Sequence, residues 1–155
     1  MPLAEVLADL QSKIGQDVHV SDWITVSQET IDMFANATGD KQWIHVDEQR
    51  AKAESPYGAT IAHGYLTLSL YPMLRGLVDA DKPLFPGVKN VINYGIDKLR
   101  FTNAVKVNSK IRARCTLVAA EEVKNSIQLT EKYTAEIDGQ ERPACVADCI
   151  MRLYF

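Results

Sequence analysis

Residues 62–78 read AHGYLTLSLYPMLRGLV, a run in which apolar side chains fall on almost every side of a helical wheel. A helix with that pattern belongs inside a protein rather than on its surface. Pro72 within it must either kink the helix or end its regular part, because proline lacks an N–H and its ring collides with the preceding turn. Past the turn-rich DADKPLFPG (79–87) the chain changes character. VKNVINYGIDKLRFT (88–102), SKIRARCTLVAAEEV (109–123), SIQLTEKYTAEI (126–137) and PACVADCIMRLYF (143–155) alternate apolar with polar side chains and are rich in β-branched residues, with turn residues such as DGQ (138–140) between them. Four long strands after one buried helix predict an α+β fold in which a curved antiparallel sheet wraps a central helix. No linker, internal repeat or low-complexity stretch interrupts the chain, so one domain is expected over residues 1–155.

Composition narrows the function classes. With 155 residues, 46% hydrophobic and 24% charged, the chain can bury one core and not two. A net charge of −3 supplies no basic field for a nucleic-acid backbone, so no nucleic-acid partner is expected. Nowhere do eighteen apolar residues run together. The opening MPLAEVLADLQSKIG carries acids inside its apolar pattern, unlike a signal peptide, so no membrane association and a cytoplasmic location are expected. Cys115, Cys145 and Cys149 lack CxxC spacing, and the last two would stand about 13 Å apart along one strand, too far for a disulfide. All three read as buried small hydrophobes.

Upstream of the buried helix the chain is punctuated for function. Leu3, Val6, Leu7, Leu10 and Ile14 repeat at helical spacing and stop at Gly15. After an extended piece, DVHVSDWITV (17–26), Ser27 is placed to cap a second helix that Gly39 ends, and Asp47 to cap a third, EQRAKAE (48–54). Asp40 therefore emerges directly after a helix stop, and His45 lies in the tight link between two helix ends. His63 and Gly64 then open the buried helix. A carboxylate, an imidazole and the free N–H groups of a helix start are the parts needed to add water to a polarised double bond. The first two can hold a water and move its protons, and the N–H groups can stabilise charge developing on a carbonyl oxygen. A purely structural junction uses the same residue types, and spacing alone does not separate the two.

The residues Gly39, Asp40, His45 and Asp47, in the pattern G-D-x4-H-x-D, followed by Ile61, Ala62, His63, Gly64, Tyr65 and Leu66, resemble the MaoC-like, R-specific enoyl-CoA hydratase family, in particular its NodN-like branch. The order of elements is shared over nearly the whole chain, and the Asn93–Tyr94–Gly95 and Arg100–Phe101 pieces resemble the same branch. The resemblance implies a hot-dog fold, a homodimer, and reversible syn hydration of trans-2-enoyl-CoA to (3R)-3-hydroxyacyl-CoA, with coenzyme A as part of the substrate and no separate cofactor. It implies that Asp40 and His45 are the catalytic pair and that the Gly64 backbone N–H polarises the thioester carbonyl. His63 is expected to order the loop, and Tyr65 and Trp43 to line the substrate site or support the loop. The chain departs from the family where many members carry N-P-[IL]-H, since Gln42, Trp43 and Ile44 stand there; Trp43 is expected to hold the loop by packing. By backbone geometry, a first-turn position such as Gly64 tolerates proline.

Other readings predict different chemistry. His45, Asp47 and His63 have the composition of a two-histidine, one-carboxylate iron site, but Asp47 is needed to start a helix, and no metal is expected. A hot-dog thioesterase, or a module that binds acyl thioesters without reacting, would use the same fold. For the phosphates of coenzyme A, charge and strand position nominate Lys98, Arg100 and Arg112.

Overall fold

The structure, a computed structural model, describes residues 2–77 and 79–155. Helix α1 (Pro2–Ser12) buries Val6 and Leu10, and strands β1 (Asp17–Val20) and β2 (Ile24–Thr25) follow. Ser27 caps α2 (Gln28–Thr38) through its side chain, and Gly39 ends that helix in the left-handed conformation at φ 83°, where an L side chain is strained. One turn, α3 (Trp43–Val46), leads to α4 (Glu48–Glu54), whose N-cap Asp47 accepts from the Arg50 N–H at 3.0 Å.

The segment expected as one central helix is two short ones, α5 (Gly64–Ser69) and α6 (Tyr71–Arg75), joined at Leu70. Pro72 sits in the first turn of α6, where its missing N–H costs nothing. The break is thus the end-and-restart option for proline. Val78, the far end of the expected helix, lies outside the described residues. Nor is the segment enclosed on all sides in the single chain: Leu66, Thr67, Tyr71, Leu74 and Arg75 are buried, while Tyr65 is 67% exposed.

Strands β3 (Asn90–Arg100), β4 (Lys110–Val123), β5 (Ser126–Ile137) and β6 (Cys145–Tyr154) coincide with the four sequence runs. They form an antiparallel sheet in the order β1-β4-β5-β6-β3, with β2 also paired to β4. Lys124 and Asn125, at φ 48° and 63°, make the two-residue connection between β4 and β5, as right-handed strand twist favours. Period-two alternation turns Ile111, Ala113, Cys115 and Leu117 of β4 inward, with Ile127, Leu129, Tyr133 and Ala135 of β5 and Cys145, Ala147, Met151 and Leu153 of β6. The helices pack on that face. All three cysteines are free and buried, and burial pushes the thiols of Cys115 and Cys149 up to about 12 and that of Cys145 to about 11. Among the described residues no helix is long and apolar enough to cross a membrane.

Candidate active site

The fold brings Asp40, His45 and His63 together: each offers one ligand-type atom, and these atoms lie within 4.8 Å of one another. Asp40 arrives on the turn after Gly39, His45 on α3, and His63 as the N-cap of α5. Each is held from the backbone. His45 Nδ1 lies 2.7 Å from the Ile61 carbonyl; a carbonyl can only accept, so Nδ1 carries the proton and Nε2 is the lone-pair nitrogen of the neutral ring. His63 Nε2 meets the Asp40 carbonyl at 2.9 Å, tying the start of α5 to the turn that carries the acid. The two rings stack at 3.8 Å, and Phe34 packs on His63 at 4.8 Å. His63 Nδ1 is buried and has no hydrogen-bond partner.

The segment leading to His63 is pinned on both sides. Ala62 N–H donates to the Val105 carbonyl at 2.8 Å, Val107 N–H to the Thr60 carbonyl at 2.9 Å, and Ile61 N–H to the Ile44 carbonyl at 3.0 Å. Gln28, at the start of α2, donates to the His45 carbonyl at 2.8 Å and accepts from the Thr60 hydroxyl at 2.6 Å. It is a loop support that local sequence does not reveal, because its partners are 17 and 32 residues away. Trp43 begins α3 with the Arg50 guanidinium 4.3 Å over its ring, so the expected tryptophan packing of the loop is a stack on a cation.

Electrostatics favour an ionised acid beside a neutral imidazole. For Asp40 the largest single influence is desolvation, which raises its pKa. The Gln42 side-chain amide at 3.2 Å, the Gln42 backbone N–H and the two imidazoles together outweigh it, and the carboxyl is held below its ordinary value. Gln42 stands in the loop where the family pattern differs, and here it serves the carboxylate. Burial, aided by His63 and opposed by the Ile61 carbonyl and by Asp40, lowers the pKa of His45.

Gly64 is the first residue of α5, so its N–H has no acceptor within the helix. A Cβ at this position would stand 2.9 Å from the ring of Phe101. Backbone tolerance of proline is therefore not enough, because any side chain here must displace that ring. The contact gives Phe101 a structural role in setting the approach to Gly64. Tyr65 is largely exposed and edge-on to Phe101 at 5.8 Å.

Other nominated residues lie apart. Asp47 is committed to its cap; among the described residues, the set that could hold a metal ion is Asp40, His45 and His63. Lys98 and Arg100 are on edge strand β3, whereas Arg112 is on β4 with two strands between, roughly 14 Å away at ordinary strand spacing. Arg112 is moreover paired with Glu136 at 2.9 Å and stacked on Trp23, so the three do not form one phosphate site. His19 on β1 has its Nε2 2.8 Å from the Leu74 carbonyl. Ser69 donates to the Tyr65 carbonyl one turn back, at 2.6 Å.

A curved antiparallel sheet packed on a central helical segment is the hot-dog architecture, and Asp40, His45 and His63 meet where that segment begins. The chain belongs to the MaoC-like dehydratase family: the MaoC like domain matches residues 9–138. It is 48% identical over 149 residues to 3-hydroxyacyl-thioester dehydratase Z of Mycobacterium tuberculosis H37Rv, covering 96% of this chain and 95% of the relative. To nodulation protein N of Rhizobium leguminosarum bv. viciae it is 44% identical, covering 96% and 91%. Among solved structures, the R-hydratase PhaJ1 of Pseudomonas aeruginosa superposes with a TM-score of 0.66 at 20% identity, over 91% of this chain and 81% of that one, a likeness of fold.

Proposed function

We propose that this protein is an R-specific enoyl-CoA hydratase, adding water reversibly and syn to trans-2-enoyl-CoA to give (3R)-3-hydroxyacyl-CoA. The observation that carries the reading is the convergence of Asp40 and His45, both acceptors, with His63, the residue that precedes Gly64 at the start of α5. A single water has two O–H groups, one for the Asp40 carboxylate and one for His45 Nε2. As the water oxygen bonds to the β-carbon, the pair takes a proton from it, and the double-bond electrons move toward the thioester oxygen, where the Gly64 N–H meets the developing charge. The pair then returns a proton to the α-carbon on the same face. The sum is one water added syn, with both side chains back in their starting states. His63 keeps the Asp40 turn and α5 in register, and Trp43 steadies the loop. Tyr65, at the open side of α5, borders the path of the substrate. The 48% identity to a protein named for dehydrating 3-hydroxyacyl thioesters supports the assignment.

The reaction needs no cofactor beyond the coenzyme A of the substrate, and the protein works in the cytoplasm. It acts as a homodimer: β3 is an eleven-residue edge strand with Ile92, Tyr94 and Ile96 exposed, and pairing with a second copy would remove that aggregation hazard. Incubation of purified protein with crotonyl-CoA tests the function. Loss of enoyl absorbance with formation of the (3R) alcohol is expected. Release of free thiol would identify a thioesterase instead, and no change would identify a binding module.

A further inference from the structure

Two inward residues of β5, Glu131 and Tyr133, each grip one half of the broken helix. Glu131, 0% exposed, accepts from the Tyr71 hydroxyl at 2.5 Å and from Arg75 Nε at 2.9 Å, both on α6. Tyr133, also 0% exposed, donates its hydroxyl to the Thr67 carbonyl of α5 at 2.9 Å. In an unbroken helix that carbonyl would accept from the next turn of the same helix; at the break, the sheet supplies a donor.

Thr67 leads directly to the reacting end. Its own N–H donates to the His63 carbonyl at 3.2 Å. That carbonyl belongs to the same planar peptide unit as the Gly64 N–H, so the direction of one fixes the direction of the other. The route from sheet to donor is therefore Tyr133 hydroxyl, Thr67, the His63–Gly64 peptide. We propose that Tyr133 is a positioning residue that aims the Gly64 N–H through Thr67; this rests on the reading of Gly64 as the carbonyl-polarising donor. Glu131 secures α6 and has no such connection to the Gly64 peptide.

Tyr133→Phe removes one oxygen and keeps the ring that packs on Tyr71 at 5.1 Å. Deleting an oxyanion donor outright typically costs about 10²–10³-fold in turnover, so loosening its aim should cost about tenfold in kcat, with KM changed by less than about twofold. Infrared difference spectra with (3R)-3-hydroxybutyryl-CoA, ¹³C-labelled at the thioester carbonyl, give a readout that lost stability would not move: the bound carbonyl band should shift back toward its frequency in solution. Tyr71→Phe makes the same chemical change on the α6 grip and should leave kcat and the band near wild type. If the unfolding midpoint of either variant falls close to 25 °C, both readouts are taken at 10 °C. An active wild type with Tyr133→Phe at full kcat and an unmoved band overturns the inference alone, as does an equal loss in Tyr71→Phe. A wild type that neither hydrates crotonyl-CoA nor perturbs the carbonyl overturns the reading of Gly64 and the inference with it.

Discussion

Two polar clusters border the central helix, and they differ in how completely their groups are satisfied. Around Glu131 each carboxylate oxygen is used: Tyr71 and Arg75 Nε on one, Arg75 Nε and Nη2 on the other, at 2.5 to 3.1 Å with no exposure of the acid. Around Asp40 the acid takes its donors from Gln42, side chain and backbone, and is half-buried, while His63 Nδ1 is buried without a partner. A buried polar network with every member paired fixes a structure. One with acceptors left over is poised for something not yet bound, and strained or unsatisfied groups concentrate at functional sites. The first cluster is a staple, and the second is the candidate site. The pKa directions agree: burial drives the Tyr71 phenol far up and locks it protonated, whereas Asp40 stays ionised beside an imidazole kept neutral.

The strongest test of this contrast separates activity from stability. Asp40→Asn and His45→Gln should each lower hydratase turnover by about 10²–10⁴-fold. If both hold the same water, the double variant should be hardly worse than the poorer single one. Asp40→Asn should shift the unfolding free energy by less than about 1 kcal/mol. Steady-state kinetics on crotonyl-CoA and urea unfolding give the two numbers, and a large loss of stability with little loss of rate would make Asp40 the staple.

The converse is expected at the other cluster. Glu131→Gln leaves the buried Arg75 charge without its counter-charge, which typically costs about 3–5 kcal/mol. Replacing both partners, as in Arg75→Met with Glu131→Met, should recover much of that loss. A Glu131→Gln variant of undiminished stability, seen as an unchanged urea midpoint, would dissolve the distinction between the two clusters.

The smallest effect is in the pH profile. If neutral His45 is the base, kcat/KM should be flat near neutral pH and fall on acidification, with its midpoint below 6.5, because burial holds the imidazole under that value. Asp40→Asn removes a charge that raises the His45 pKa, so residual activity in that variant should fall at a still lower pH. The folded state disfavours protonation of His45, so its contribution to stability is present above 6.5 and is lost as pH falls below that. An acid limb above 6.5 would contradict the neutral imidazole.

The staple and the site were not equally legible in the sequence. The site's members are close in the chain, separated by stop and start signals with local causes: Gly39 for its left-handed turn, Ser27 and Asp47 for their caps. The strands were legible too, since period-two alternation has a single reading over a dozen residues. The Glu131 cluster was not, because alternation puts Glu131 in phase with Leu129 and Tyr133 but names no partner, and its pairs are 56 and 60 residues apart. Phe101 stood in a family-like motif with no role until its ring was found against Gly64.

The sequence by itself determined the family, the order of elements, the helix caps and the placing of Asp40 and His45 in the links between helix ends, because each depends on neighbours within a turn or on the period of one element. Tertiary structure alone decided that the central helix breaks at Leu70, that Glu131 lies inside with Arg75, that Gln28 supports the His45 loop, and that Tyr133 holds Thr67. The physical reason is common to all four. A buried carbonyl, carboxylate or amide must find a partner, and which partner it finds depends on what the folded sheet and helices place within three ångströms, a distance that chain separation does not encode.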